Sequence, residues 1–116
     1  MSLAAYQLAR NITESPRSTE ARLMREITGE LIAARDAGRT GPLLMPVLFR
    51  NRTVWGAFAD ACSTRGNRLP DGLRASIISI GLWVERYTSE VVTGRDTIDP
   101  LIEVNRAIIE GLEGHG

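Results

Sequence analysis

From Pro70 to Gly94 the chain carries Leu73, Ile77, Ile80, Val84, Tyr87 and Val91 at alternating steps of four and three residues. At about 100° per residue these six side chains fall within an arc of roughly 80°, one stripe of a helix that opens at a proline and stops at a glycine. Ile78 and Leu82 project from the other side of that helix, and Trp83 lies on a flank. A helix apolar on two faces must bury both, so it either sits at the centre of a bundle or keeps one face for a partner.

The rest of the sequence repeats the same punctuation. Residues 2–10 are expected to form a short helix carrying Leu3, Tyr6 and Leu8. Ser15 before Pro16 is an N-cap followed by proline at the first helical position, and Gly38 is a stop; between them Leu23, Met24, Ile27, Leu31 and Ala34 share a face. Leu44, Leu48, Trp55, Phe58 and Cys62 are in register for a third helix. Pro46 lacks an amide hydrogen and clashes with a preceding turn, so regular helix should begin near it, with residues 42–45 extended or irregular. Asp99 caps a last helix from Pro100, with Leu101, Val104, Asn105, Ile108 and Leu112 on one face. The expected helices are 2–10, 16–37, 46–63, 70–93 and 100–113. No strand-like alternation and no internal repeat is visible. The fold class is all-α: a single small helical bundle, four main helices plus a short N-terminal one, in one domain of 116 residues. About two-thirds of the surface of a chain this long can be buried, enough for a core without metal or disulfide.

Net charge is zero but unevenly spread. Residues 50–74 hold five arginines against two aspartates, while from Ala75 onward three arginines face seven acids. All fourteen basic residues are arginine, as a GC-rich coding sequence would give. The single cysteine excludes an internal disulfide framework, no apolar run has the ~18 residues of a membrane span, and residues 1–11 lack the layout of a signal peptide. A cytoplasmic protein without a membrane partner is expected.

Catalysis has no visible residues to run on. The lone histidine, His115, is next to last, and Cys62 lies on an apolar stripe, where a buried structural thiol is the plain reading. One histidine and one cysteine cannot build a tetrahedral metal site, and no glycine-rich phosphate loop occurs. A non-enzyme with no cofactor is expected. Asn51 and Asn105 fall in apolar stripes, where each amide must find a partner at a cost of roughly 1–3 kcal/mol if it does not. They either fix the register of the bundle or meet a partner's backbone. Asn67, in a loop before Leu69 and Pro70, reads as a turn residue. The arginines at 50, 52, 65, 68 and 74 invite a nucleic-acid reading, but no aromatic residues interleave with them for stacking, and neutrality weakens attraction to phosphate.

The ordered series Asn51-Arg52-Thr53-Val54-Trp55, Asn67-Arg68-Leu69-Pro70, Leu73-Arg74-Ala75, Trp83-Val84-Glu85-Arg86-Tyr87-Thr88 and Asp99-Pro100-Leu101-Ile102-Glu103-Val104-Asn105-Arg106-Ala107-Ile108 resembles the FlaF family of flagellar biosynthesis regulators of alphaproteobacteria. The start, Ser2-Leu3 through Tyr6 to Glu20-Ala21-Arg22, is similar too, so the resemblance spans nearly the whole chain. It implies a small cytoplasmic non-enzyme needed for flagellin production and export, with flagellin and the translational regulator FlbT as partners. It supplies no catalytic residues. On this footing the chain reads as a flagellin-binding, secretion-chaperone-like adaptor. Ile78, Leu82 and Trp83 would border a groove for an amphipathic client helix, with Arg74 and Arg86 on its rim. Two other classes remain: direct binding of the flagellin transcript through the central arginines, and a purely structural module in which Ile78 and Leu82 pack against the first helix or a second copy in a homodimer.

Overall fold

The computed structural model describes residues 16–64 and 69–114, with side chains from residue 19 to residue 113. The expected N-terminal helix, the Ser15 cap, Arg65, Asn67, Arg68 and His115 lie outside the described residues. Four α-helices make up the fold: α1 (Pro16–Asp36), α2 (Met45–Ser63), α3 (Asp71–Val92) and α4 (Asp99–Gly114). The described residues contain no strand, in agreement with the all-α reading.

The ends of the helices follow from local chemistry. Gly38 and Gly94 take φ of +70° and +77°, and past each of them the chain folds back. Arg39 N–H donates to the Ala34 carbonyl at 3.1 Å and Arg95 N–H to that of Glu90 at 2.9 Å, satisfying carbonyls that the last turn leaves open. The start of α2 differs from expectation. Residues 41–44 are not extended but form a 3-10 turn that runs straight into α2 at Met45, one residue before Pro46. Pro42 and Pro46 are tolerated because each sits in a first turn, where the missing N–H would have had no intrahelical partner. At α4 the amides of Leu101 and Ile102 donate to the Ile98 carbonyl, while the carboxylate of Asp99 accepts from Arg35 Nη1 at 3.1 Å. The residue expected to cap α4 therefore fastens it to α1.

The helices run up, down, up and down around one core, each antiparallel to the next. Arg50 Nη2 meets Glu30 Oε1 at 2.5 Å between α1 and α2, and Arg52 Nη2 meets Glu85 Oε1 at 3.1 Å between α2 and α3. Arg35 to Asp99 and Arg25 to Glu113 tie α1 to α4. α2 and α3 approach closely at Gly81, where an added Cβ would lie 3.2 Å from that of Ala59. The core is formed by Met24, Ile27 and Leu31 of α1, Leu48, Trp55 and Cys62 of α2, Ile77 and Val84 of α3, and Leu101, Ile108 and Leu112 of α4. Cys62 is fully enclosed, and burial pushes its thiol up to about 11.

One polar chain crosses this core. Trp55 Nε1 donates to Asn105 Oδ1 at 2.8 Å, and Asn105 Nδ2 donates to Asn51 Oδ1 at 2.9 Å, joining the diagonal pair α2 and α4. An indole N–H can only donate, so it fixes which way Asn105 faces and, through it, Asn51; Asn51 Nδ2 is left buried without a partner. Thr28, Asn51, Thr88 and Asn105, one from each helix, are the buried polar residues of the described chain. The register of the ion pairs brings the four within about one turn of a common level. The two threonines donate to their own helices, at Met24 and Val84 carbonyls. Of the two roles open to Asn51 and Asn105, the structure displays the internal one: they hold each other.

Candidate functional site: the open seam between two helices

Three of the four seams in the bundle are closed by both packing and charge. The fourth, between α3 and α4, is not: the two helices approach each other at few points, and among the described residues no ion pair spans them. The cause lies in the stripe of α3. Its six residues divide into two rows with a spacing of seven. Ile77, Val84 and Val91 are buried, whereas Leu73, Ile80 and Tyr87 are only half-buried. The first row meets the core, and the second turns toward α4.

The seam is lined from α3 by Leu73, Ile80, Trp83 and Tyr87 and from α4 by Val104 and Gly111, all half-buried. At one end Leu73 reaches the position above Gly111, where an added Cβ would lie 3.5 Å from Leu73 Cδ1. At the other, Trp83 stacks on Tyr87 with ring centroids 4.7 Å apart and planes 19° from parallel. The Tyr87 hydroxyl donates to the Thr97 carbonyl at 2.8 Å, pinning this aromatic wall to the connection that enters α4. Burial, then the charge of Asp96, hold the Tyr87 phenol above its usual range, so it stays protonated and keeps donating. What results is a half-covered apolar trough with one aromatic end, tied at Tyr87 to the connection before α4 and bounded at the other end by Leu73 over Gly111.

The five residues expected to shape one groove do not share one. Arg74, Gly81 and Glu85 all face α2, and Ile78 and Leu82 lie roughly 20–60° beyond Glu85 on the helical wheel, on the outer shoulder of the α2–α3 pair. Trp83 lies roughly 100° or more from Leu82, on the shoulder toward α4. Ile78 is half-buried and Leu82 is 61 % exposed. Arg74 is not a rim residue: its Nε and Nη2 donate to the Cys62 carbonyl at 2.9 and 2.8 Å, so it caps the end of α2. Arg86 is exposed, points away from the core and has no ion pair among the described residues. The expected groove fails because its members sit on both sides of the outward ridge of α3.

Sequence reasoning missed Leu73, Ile80, Tyr87 and Val104 as surface by assigning them to the core. It also passed over Phe49, 68 % exposed on α2, with Met45 exposed one turn before it. An apolar residue off its helix's stripe was the available signal for Phe49. The cationic cluster is less free than its spacing suggests. Arg50 and Arg52 are held by Glu30 and Glu85, and Arg74 by a carbonyl and by Asp71 at 3.6 Å. No described helix is long and apolar enough to cross a membrane.

Fold and site together define the class: a small up-down helical bundle with one apolar seam left open. The family model for flagellar protein FlaF matches residues 2–112, and the chain belongs to that family. Comparison with curated proteins and with solved structures gives no match.

Proposed function

We propose that the protein is a non-enzymatic cytoplasmic adaptor that binds flagellin through the α3–α4 seam, in the manner of a secretion chaperone. The observation that carries this reading is the half-buried row Leu73, Ile80, Tyr87 with Trp83 and Val104: five apolar side chains along one seam, each retaining surface that the described residues do not cover. Unpolymerised flagellin has terminal segments rich in amphipathic helix, and a trough of this shape takes the apolar face of one such helix as an added strand of the bundle's packing. Membership of the FlaF family supports a flagellar role. Occupancy of the seam would alter contact with an FlbT-type translational regulator and so couple flagellin synthesis to export, a linkage between two binding events.

The test is titration calorimetry of the purified protein against flagellin lacking either terminal segment. Loss of binding on removal of one segment, together with a negative heat-capacity change, is the expected result. Equal binding by both truncations, or none by intact flagellin, would refute the proposal.

A further inference from the structure

We propose that the helix received by the seam is basic along one flank, with two cationic side chains about two turns apart that settle against Glu103 and Glu110. This deepens the reading of the seam as the client site and rests on it. Glu103 and Glu110 are seven residues apart on α4, about 10.5 Å along one edge of the helix. Both are exposed, and among the described residues neither is in an ion pair. That sets them apart from Glu26, Glu30, Glu85, Glu90 and Glu113, each of which holds an arginine. Arg106 lies between the two in sequence but on the flank toward α1, and it pairs with neither.

On the wheel of α4 both glutamates lie on the outward side, next to Ala107 of the wall made by Val104, Ala107 and Gly111, between that wall and the α1-facing flank of Arg106 and Glu113. The facing rim of α3 carries Ser76, Ser79 and Arg86, and its one carboxylate there, Glu90, is engaged by Arg95 at 3.7 Å. The trough therefore has an acidic edge and an edge without free acid. A neutral helix entering it would strip water from two carboxylates and return nothing, whereas cations at a spacing of seven replace that water with ion pairs and fix which flank faces α4. Seven residues of client helix match the same 10.5 Å (about two turns) in either chain direction, so the charges set the flank and not the polarity.

The experiment uses the full chain and two synthetic amphipathic peptides of identical apolar stripe, carrying either lysine or glutamate at two flank positions seven apart. Binding is read by Trp83 fluorescence for the wild type and for Glu103→Lys/Glu110→Lys. The wild type should prefer the lysine peptide by about tenfold at low ionic strength, the double variant should reverse the preference, and high salt should erase both. Equal binding of the two peptides, or a preference that survives charge reversal, overturns this inference and leaves the seam reading standing. If neither peptide binds the folded protein, the seam reading falls as well. A concentration-dependent dimer that the charge reversal dissociates would put a second copy in the seam and also overturn it.

Discussion

The two seams that flank α3 are made from neighbouring positions of one helix and end up in opposite states. Toward α2, Gly81 lets the backbones close, Arg52 and Glu85 pair, and Arg74 clamps the last turn of α2. Toward α4, Gly111 meets Leu73 at one end, but among the described residues no ion pair spans the seam, and Ile80, Trp83 and Val104 stay half covered. Hydrophobic pattern alone does not close a seam. Small residues and matched charges decide whether an apolar stripe becomes core or remains available surface. The stable half of the molecule holds the available half in place.

Replacing Asn105 should break the comparison hardest. Asn105→Ala leaves the Trp55 N–H and Asn51 Oδ1 buried without partners and opens a cavity between α2 and α4, at a cost of about 3–4 kcal/mol in urea unfolding. Its effect on flagellin binding should be confined to the unfolded fraction. The next pair sharpens the contrast. Ile77→Ala removes a fully buried side chain and should cost about 3 kcal/mol. Ile80→Ala, one turn along in the half-covered row, should cost about 1 kcal/mol yet weaken flagellin binding about tenfold. If the two substitutions weaken binding equally, the division of the stripe into two rows is wrong.

A smaller effect is expected from pH. Burial raises the Cys62 thiol from 9.0 to about 11, so the folded state favours the protonated form. Both states are protonated below pH 9, and that stability is lost as pH rises from 9 toward 11. Cys62→Ala should flatten this alkaline limb, and native Cys62 should resist thiol reagents at pH 8 until the protein unfolds. Smallest of all is Leu82→Asp on the exposed shoulder, expected within about 0.5 kcal/mol of wild type and neutral for binding.

Much of the fold was legible because proline, glycine and apolar spacing are local signals: Gly38 for α1, and Gly94 with the apolar stripe for α3, placed the ends of two helices almost to the residue. Trp83 was likewise legible as a flank residue, and it is half-buried. What could not be read depends on which neighbour a residue faces. Leu73, Ile80 and Tyr87 share an 80° arc (roughly) with Ile77, Val84 and Val91, and only the distance to α4 separates the rows. Asn51 and Asn105 were visible as amides in apolar stripes, but their meeting across the bundle is a property of tertiary register. Arg74 had the composition of a rim residue and the position of a cap. Ile78 and Leu82 were grouped with Trp83 because all three leave the main stripe, although they leave it on opposite sides.

The most direct test is methyl nuclear magnetic resonance of the protein titrated with the flagellin segment that calorimetry selects. Ile80 and Val104 methyl signals should shift and broaden while those of Ile78 and Leu82 stay in place. Perturbation confined to Ile78 and Leu82, with Ile80 and Val104 silent, would contradict the assignment of the α3–α4 seam as the docking face.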